Sequence, residues 1–92
     1  MAEIVLVEAT EAFTHVAVRG KLDAAGVGEV DLRLTSQTVP RRKPALIDLT
    51  EVGFIASLGI GMLLLIARAM RGHGVGVAVI AGSPSVAAPS IP

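Results

Sequence analysis

The sequence contains no cysteine, no tryptophan and no tyrosine, and its only aromatic residues are two phenylalanines. Without cysteine there is no disulfide framework and no thiolate metal site. Histidine is scarce too. His15 and His73 stand far apart and match no ligand spacing, so no metal site and no cofactor are expected. Two aromatics offer little for stacking on nucleic-acid bases. An excess of one charge is also absent: eight basic residues balance eight acidic ones. The basic cluster, Arg41-Arg42-Lys43, lies between Pro40 and Pro44 and reads as a solvated loop, which argues against a nucleic-acid partner. No basic segment precedes an apolar core at the N-terminus, where Glu3 comes early, so a signal peptide is not expected. The longest apolar run, Val52 to Ala67, includes Gly53, Ser57, Gly59 and Gly61 and then meets Arg68 and Arg71. A membrane-spanning helix needs roughly 20 apolar residues, and this run falls short. The expectation is a buried helix in a cytoplasmic α/β domain that does not insert into a membrane.

What is present reads as one small domain, since 92 residues suffice for one core. Glu3 to Val7 is rich in β-branched residues and reads as a strand. Ala9 to Ala12 is a short polar connection, and Phe13 to Val18 a second strand, making a hairpin. Thr14, Val16 and Val18 share one face and His15 the other, which makes His15 a surface residue. Gly20-Lys21-Leu22-Asp23 ends that strand, with Asp23 as N-cap of a helix whose core positions are Val27, Val30 and Leu34. Gly26 and Gly28 each weaken that helix by about 1 kcal/mol relative to alanine. After the Pro40–Pro44 loop, Ala45 to Leu49 reads as a short buried parallel strand, and Thr50 to Ala56 as a lead into the next helix. That helix runs from about Ser57 to Arg71 and is closed by Gly72 and Gly74. Val75 to Ile80 is a further strand. The order implies a small mixed sheet: an N-terminal hairpin, then parallel β-α-β-α-β with right-handed crossovers. Ser83-Pro84-Ser85 looks like another helix start, but Pro89 interrupts it.

The stretch Phe54-Ile55-Ala56-Ser57-Leu58-Gly59-Ile60-Gly61 joins strand to helix. On a helical wheel, Ser57, Gly61, Leu64, Arg68 and Arg71 share one face. Leu58, Met62, Leu65, Ile66 and Ala69, widened by Leu63 and Met70, form a second face, which is assigned to the core. The first face is the candidate docking surface, because Gly61 admits a close backbone. Ser57 sits at the positive pole of the helix, where its hydroxyl can cap free N–H groups. The same place stabilises a phosphate. Phosphoserine adds close to two negative charges, so modification there is compatible with the fold while it alters the adjoining surface. A nucleophilic role is poorly supported. The G-x-S-x-G elbow has Ile55 at its first position, and neither histidine is placed as a base, so no catalytic residue is assigned. Gly72, Gly74 and Gly76 follow a helix and precede a strand, the reverse of a dinucleotide loop.

These segments resemble the STAS domain family, named for sulfate transporters and anti-sigma factor antagonists. Gly20 to Asp23 is similar to its first motif, Ile47 to Gly61 to its second and more specific one, and Gly74 to Ser83 to the strand that follows. The resemblance runs from the first strand to about Val86, giving a single domain over 1–86 and a short proline-containing tail over 87–92. It implies a small mixed sheet with helices packed against it. In bacterial anti-sigma factor antagonists it further implies that Ser57 matches the serine phosphorylated by a partner kinase, the anti-sigma factor. The unphosphorylated antagonist binds that kinase and frees the sigma factor; phosphorylation breaks the contact and a phosphatase restores it. The expected contact residues are Asp23, Asp48, Ala56, Ser57, Leu58, Gly61, Leu64 and Arg68. Asp23 reads first as a cap, and Asp48 as a strand-end residue that orders the serine loop or meets the partner.

The chain departs from the family pattern at three places. Ala56 replaces the usual acidic residue before the serine, Leu58 replaces a small polar residue after it, and a full domain usually continues with another helix beyond the last strand. The first two make the loop more apolar. They keep a second reading open, an unphosphorylated docking or scaffold subunit of a stress-sensing complex or a transport system. The third leaves two alternatives, a minimal domain or one truncated at its C-terminus, and a missing helix implies exposed apolar surface and association with a partner or a second copy as a homodimer.

Overall fold

Residues 2–80 are described by the structure, a computed structural model. The elements are β1 (Ala2–Ala9), β2 (Thr14–Leu22), α1 (Ala24–Thr38), a 3-10 turn (Val39–Arg41), β3 (Ala45–Ile55), α2 (Ser57–Gly72) and β4 (Val77–Ile80). The sheet order is β1-β2-β3-β4, with β1 antiparallel to β2 and the other pairs parallel. This is the mixed α/β architecture expected from the order of periodic segments. The expectations for 81–92, including the Ser83 helix start and the tail, lie outside the described residues.

The hairpin closes through Thr10, whose Oγ1 accepts from the backbone N–H groups of Ala12 and Phe13, both at 3.1 Å. Alternation then sorts β2. Thr14, Val16 and Val18 are buried under the helices, while His15 and Ala17 face the other side. Ile47, Leu49 and Val52 of β3 join the same core, with Val27, Val30 and Leu34 of α1 and Met62, Ile66 and Met70 of α2. Both helices therefore cover one face of the sheet. Burying these side chains stabilises the fold by about 1.5–3 kcal/mol each.

Three local expectations are corrected. β3 does not stop at Leu49. It continues through Thr50–Gly53 to Ile55, because Glu51, Val52, Phe54 and Ile55 pair with Arg19, Gly20, Lys21 and Leu22 of an equally extended β2. Pro40 lies in the 3-10 turn rather than in a plain loop, and Arg42 ends that turn at φ 54°. The last strand begins at Val77; Val75 and Gly76 only approach it, although Gly76 O accepts from Ala45 N at 3.0 Å.

Gly26 is not merely a weak helix former. A Cβ there would run into the Lys21 carbonyl, so the first turn of α1 lies directly against the end of β2. That approach is available only to glycine.

Candidate functional site

Because β2 and β3 run parallel and end together, both helices begin at the same edge of the sheet. Ala56 N donates to Leu22 O at 2.9 Å, which ties the start of α2 to the residue preceding the cap of α1. Asp23 is that cap, as its position implied: its Oδ1 accepts from Gly26 N at 2.8 Å. Gly59 is buried against Ile55 and Leu22, and a Cβ there would stand 2.9 Å from Ile55 Cγ1. This close packing fixes the rotation of α2 about its axis.

Two expectations about α2 are corrected, one at its first residue and one in its facing. Ser57 is the first helical residue, not the cap. The cap is Ala56, in extended conformation with no side-chain hydrogen bond. Ala56 O accepts from Gly59 N at 2.9 Å and from Ile60 N at 3.1 Å, while the Ser57 hydroxyl is exposed and bonds to no described residue. The helix start thus keeps free N–H donors beside a free hydroxyl. The core face of α2 is Gly59, Met62, Ile66 and Met70, with Leu63 partly buried beside it. Leu58 and Leu65, assigned to the core on the wheel, are 55 % and 66 % exposed.

These two leucines instead line a groove between the helices. Its α1 wall is Val27 and Asp31; α2 contributes Leu58, Gly61, Met62, Leu64, Leu65 and Arg68, around a volume of about 370 Å³. Four of the residues singled out by sequence, Leu58, Gly61, Leu64 and Arg68, meet here. Ala56 and Ser57 precede them at the start of α2. The surface is apolar, and Leu64 is 56 % exposed.

Asp48 does not join this group. β3 continues to Ile55 beyond it, roughly 23 Å of strand, and its side chain lies on the face opposite the helices. It therefore does not order the Ser57 loop. Its Oδ1 accepts from Thr50 N at 2.9 Å, and Oδ2 stands 3.7 Å from His15 Nε2. The Thr50 backbone N–H, the Thr50 side chain and His15 hold the Asp48 carboxyl below its ordinary pKa, against a smaller opposing effect of desolvation. Val27 keeps its expected core position, but its place with Asp31 in the groove wall and the outward turn of Leu58 and Leu65 have no signal in the sequence. A charged residue on an amphipathic helix reads as solvated surface, and only the neighbouring helix makes Asp31 a groove wall.

The residues brought together form an apolar groove with the exposed Ser57 hydroxyl at the start of the same helix. No group of three or more acidic, histidine or cysteine residues that could hold a metal ion occurs among the described residues. None of the described helices is long and apolar enough to cross a membrane.

Comparison with known proteins adds the following. A family model described as Mlab, STAS domain, matches residues 5–89. An anti-sigma factor antagonist from Mycobacterium paratuberculosis superposes with a TM-score of 0.82 at 21 % identity, over 97 % of this chain and 74 % of that one. The anti-sigma factor antagonist SpoIIAA in its unphosphorylated form gives 0.71 at 15 % identity, over 95 % and 80 %. An antisigma-factor antagonist STAS domain from Rhodobacter sphaeroides gives 0.68 at 14 % identity, over 91 % and 89 %. No curated protein matches the sequence. At these identities the likeness to the solved structures is one of fold.

Proposed function

The chain belongs to the STAS domain family, and from that membership we propose that it is an anti-sigma factor antagonist working by partner switching. Its partner is an anti-sigma factor serine kinase, which docks on the groove face when Ser57 is unphosphorylated. Ala56, Ser57, Leu58, Gly61, Leu64 and Arg68 form the contact, while Asp23 acts by capping α1. Phosphorylation of Ser57 releases the kinase, and a phosphatase resets the switch.

The observation that carries this reading is the Ser57 hydroxyl: exposed, unbonded to any described residue and seated at the start of α2, beside an apolar groove. The free donors of the first turn and the helix dipole favour a phosphate there. The fold therefore tolerates the modification. The partner does not, because two added negative charges must be desolvated next to Leu58 and Leu64. The chemistry is the kinase's; this chain supplies the acceptor hydroxyl and no catalytic group.

A second reading has its own support. Ala56 and Leu58 leave the serine flanked by apolar side chains, and the matching family model carries the Mlab description. In that reading the groove docks a fixed partner in a stress-sensing or transport assembly and Ser57 is never modified. The two are separated by affinity capture of partners with wild-type protein and with Ser57→Asp. A switch loses a nucleotide-binding kinase from the Ser57→Asp capture. A fixed docking subunit retains the same partner in both.

A further inference from the structure

Asp31 and Arg68 line the groove from opposite walls, and neither forms an ion pair with any described residue. Asp31 receives only a long 3.4 Å contact from the Thr35 hydroxyl. Around them the surface is leucine: Leu58, Leu64 and Leu65 on α2, and Leu32, 82 % exposed, next to Asp31 on α1. An apolar strip with one unpaired anion on one wall and one unpaired cation on the other is self-complementary.

We propose that this face also binds a second copy of the chain in a two-fold dimer. A two-fold axis running along the groove sets α1 of each copy over α2 of the other. Asp31 then meets Arg68 of the second copy, and the reciprocal pair forms by symmetry, as an isologous interface requires. The exposed leucines are buried between the pairs. With formal net charge zero, no long-range repulsion opposes the approach. The inference does not rest on phosphorylation of Ser57. It adds a consequence to it, since the dimer covers the surface offered to the kinase, so the two complexes exclude each other.

The test is sedimentation equilibrium of the full, unphosphorylated chain between about 1 and 500 µM, a span that brackets micromolar association. Wild type is expected to pass from monomer to dimer. Asp31→Arg and Arg68→Asp each place like charges in contact twice and weaken the dimer by roughly tenfold or more. The double variant Asp31→Arg/Arg68→Asp restores both pairs and returns the affinity close to wild type. Both side chains are exposed, and unchanged circular dichroism verifies the fold of each variant. A monomer at every concentration overturns the proposal and leaves the groove to a different protein or to residues 81–92. A dimer indifferent to the single reversals, or not rescued by the double one, overturns it too. Because no kinase or phosphate enters the experiment, failure here is distinct from failure of the switch.

Discussion

His15 Nε2 of β2 stands 3.7 Å from Asp48 Oδ2 of β3, on the sheet face opposite the helices. The other Asp48 oxygen holds the Thr50 N–H. The folded-state pKa of Asp48 is lowered, chiefly by Thr50 and then by His15. A carboxyl with a depressed folded value contributes stability above its unfolded value of about 3.9, and loses it as pH falls through the lower folded value. Asp48→Asn should therefore destabilise the protein at pH 7, with a difference from wild type that shrinks in acid. Urea midpoints measured from pH 7 to pH 2.5 check this. An equal difference at both ends would contradict it.

Two glycines of α1 should respond in opposite directions to alanine. At Gly26 the added methyl meets the Lys21 carbonyl, a backbone group that cannot move aside. Gly26→Ala should cost at least the 1–3 kcal/mol typical of overpacking. At Gly28 nothing lies within 4 Å of the new Cβ. Gly28→Ala should stabilise by about 0.5–1 kcal/mol. Thermal unfolding of the pair reads both signs at once.

The two helix starts make a second contrast. Asp23 carries a cap hydrogen bond, and Asp23→Ala should cost about 1 kcal/mol. Ser57 carries none, and Ser57→Ala should change stability by no more than about 0.5 kcal/mol. A loss at Ser57 as large as that at Asp23 would mean that its hydroxyl caps α2 after all.

Leu64 tests the groove without touching the core. Being 56 % exposed, it should tolerate Leu64→Asp with a stability change within about 0.5 kcal/mol. Binding of the captured partner should weaken by roughly tenfold or more, as expected for a buried contact at an interface centre. Titration calorimetry together with a melting curve separates the two effects.

Much of this fold was legible in advance, and the failures have physical causes. The hairpin, the parallel order and the span of α2 follow from alternation at Thr14, Val16 and Val18, and from apolar density between Ser57 and the closing Gly72 and Gly74. The full length of β3 was hidden because Thr50-Glu51-Val52-Gly53 has little strand character of its own; its pairing with Arg19 to Leu22 is a tertiary effect. The facing of α2 was hidden because Leu63, Leu64, Leu65 and Ile66 are apolar on every side. A wheel cannot choose among them, and the close packing of Gly59 on Leu22 and Ile55 does. The same rotation turns Leu58 and Leu65 into the groove, while the extended backbone of Ala56 makes it, not Ser57, the cap. That Ser57, Gly61, Leu64 and Arg68 share one face follows from their spacing alone, whichever way the helix is turned.

The central claim is that Ser57 is a regulated phosphorylation site. Its most direct test is phosphate localisation by mass spectrometry on protein isolated from its native cells, grown with and without stress. The account predicts phosphate on Ser57 whose occupancy changes with condition. Ser57 unmodified under every condition, in cells where the partner kinase is demonstrably active, would contradict it and leave the groove as a fixed docking surface.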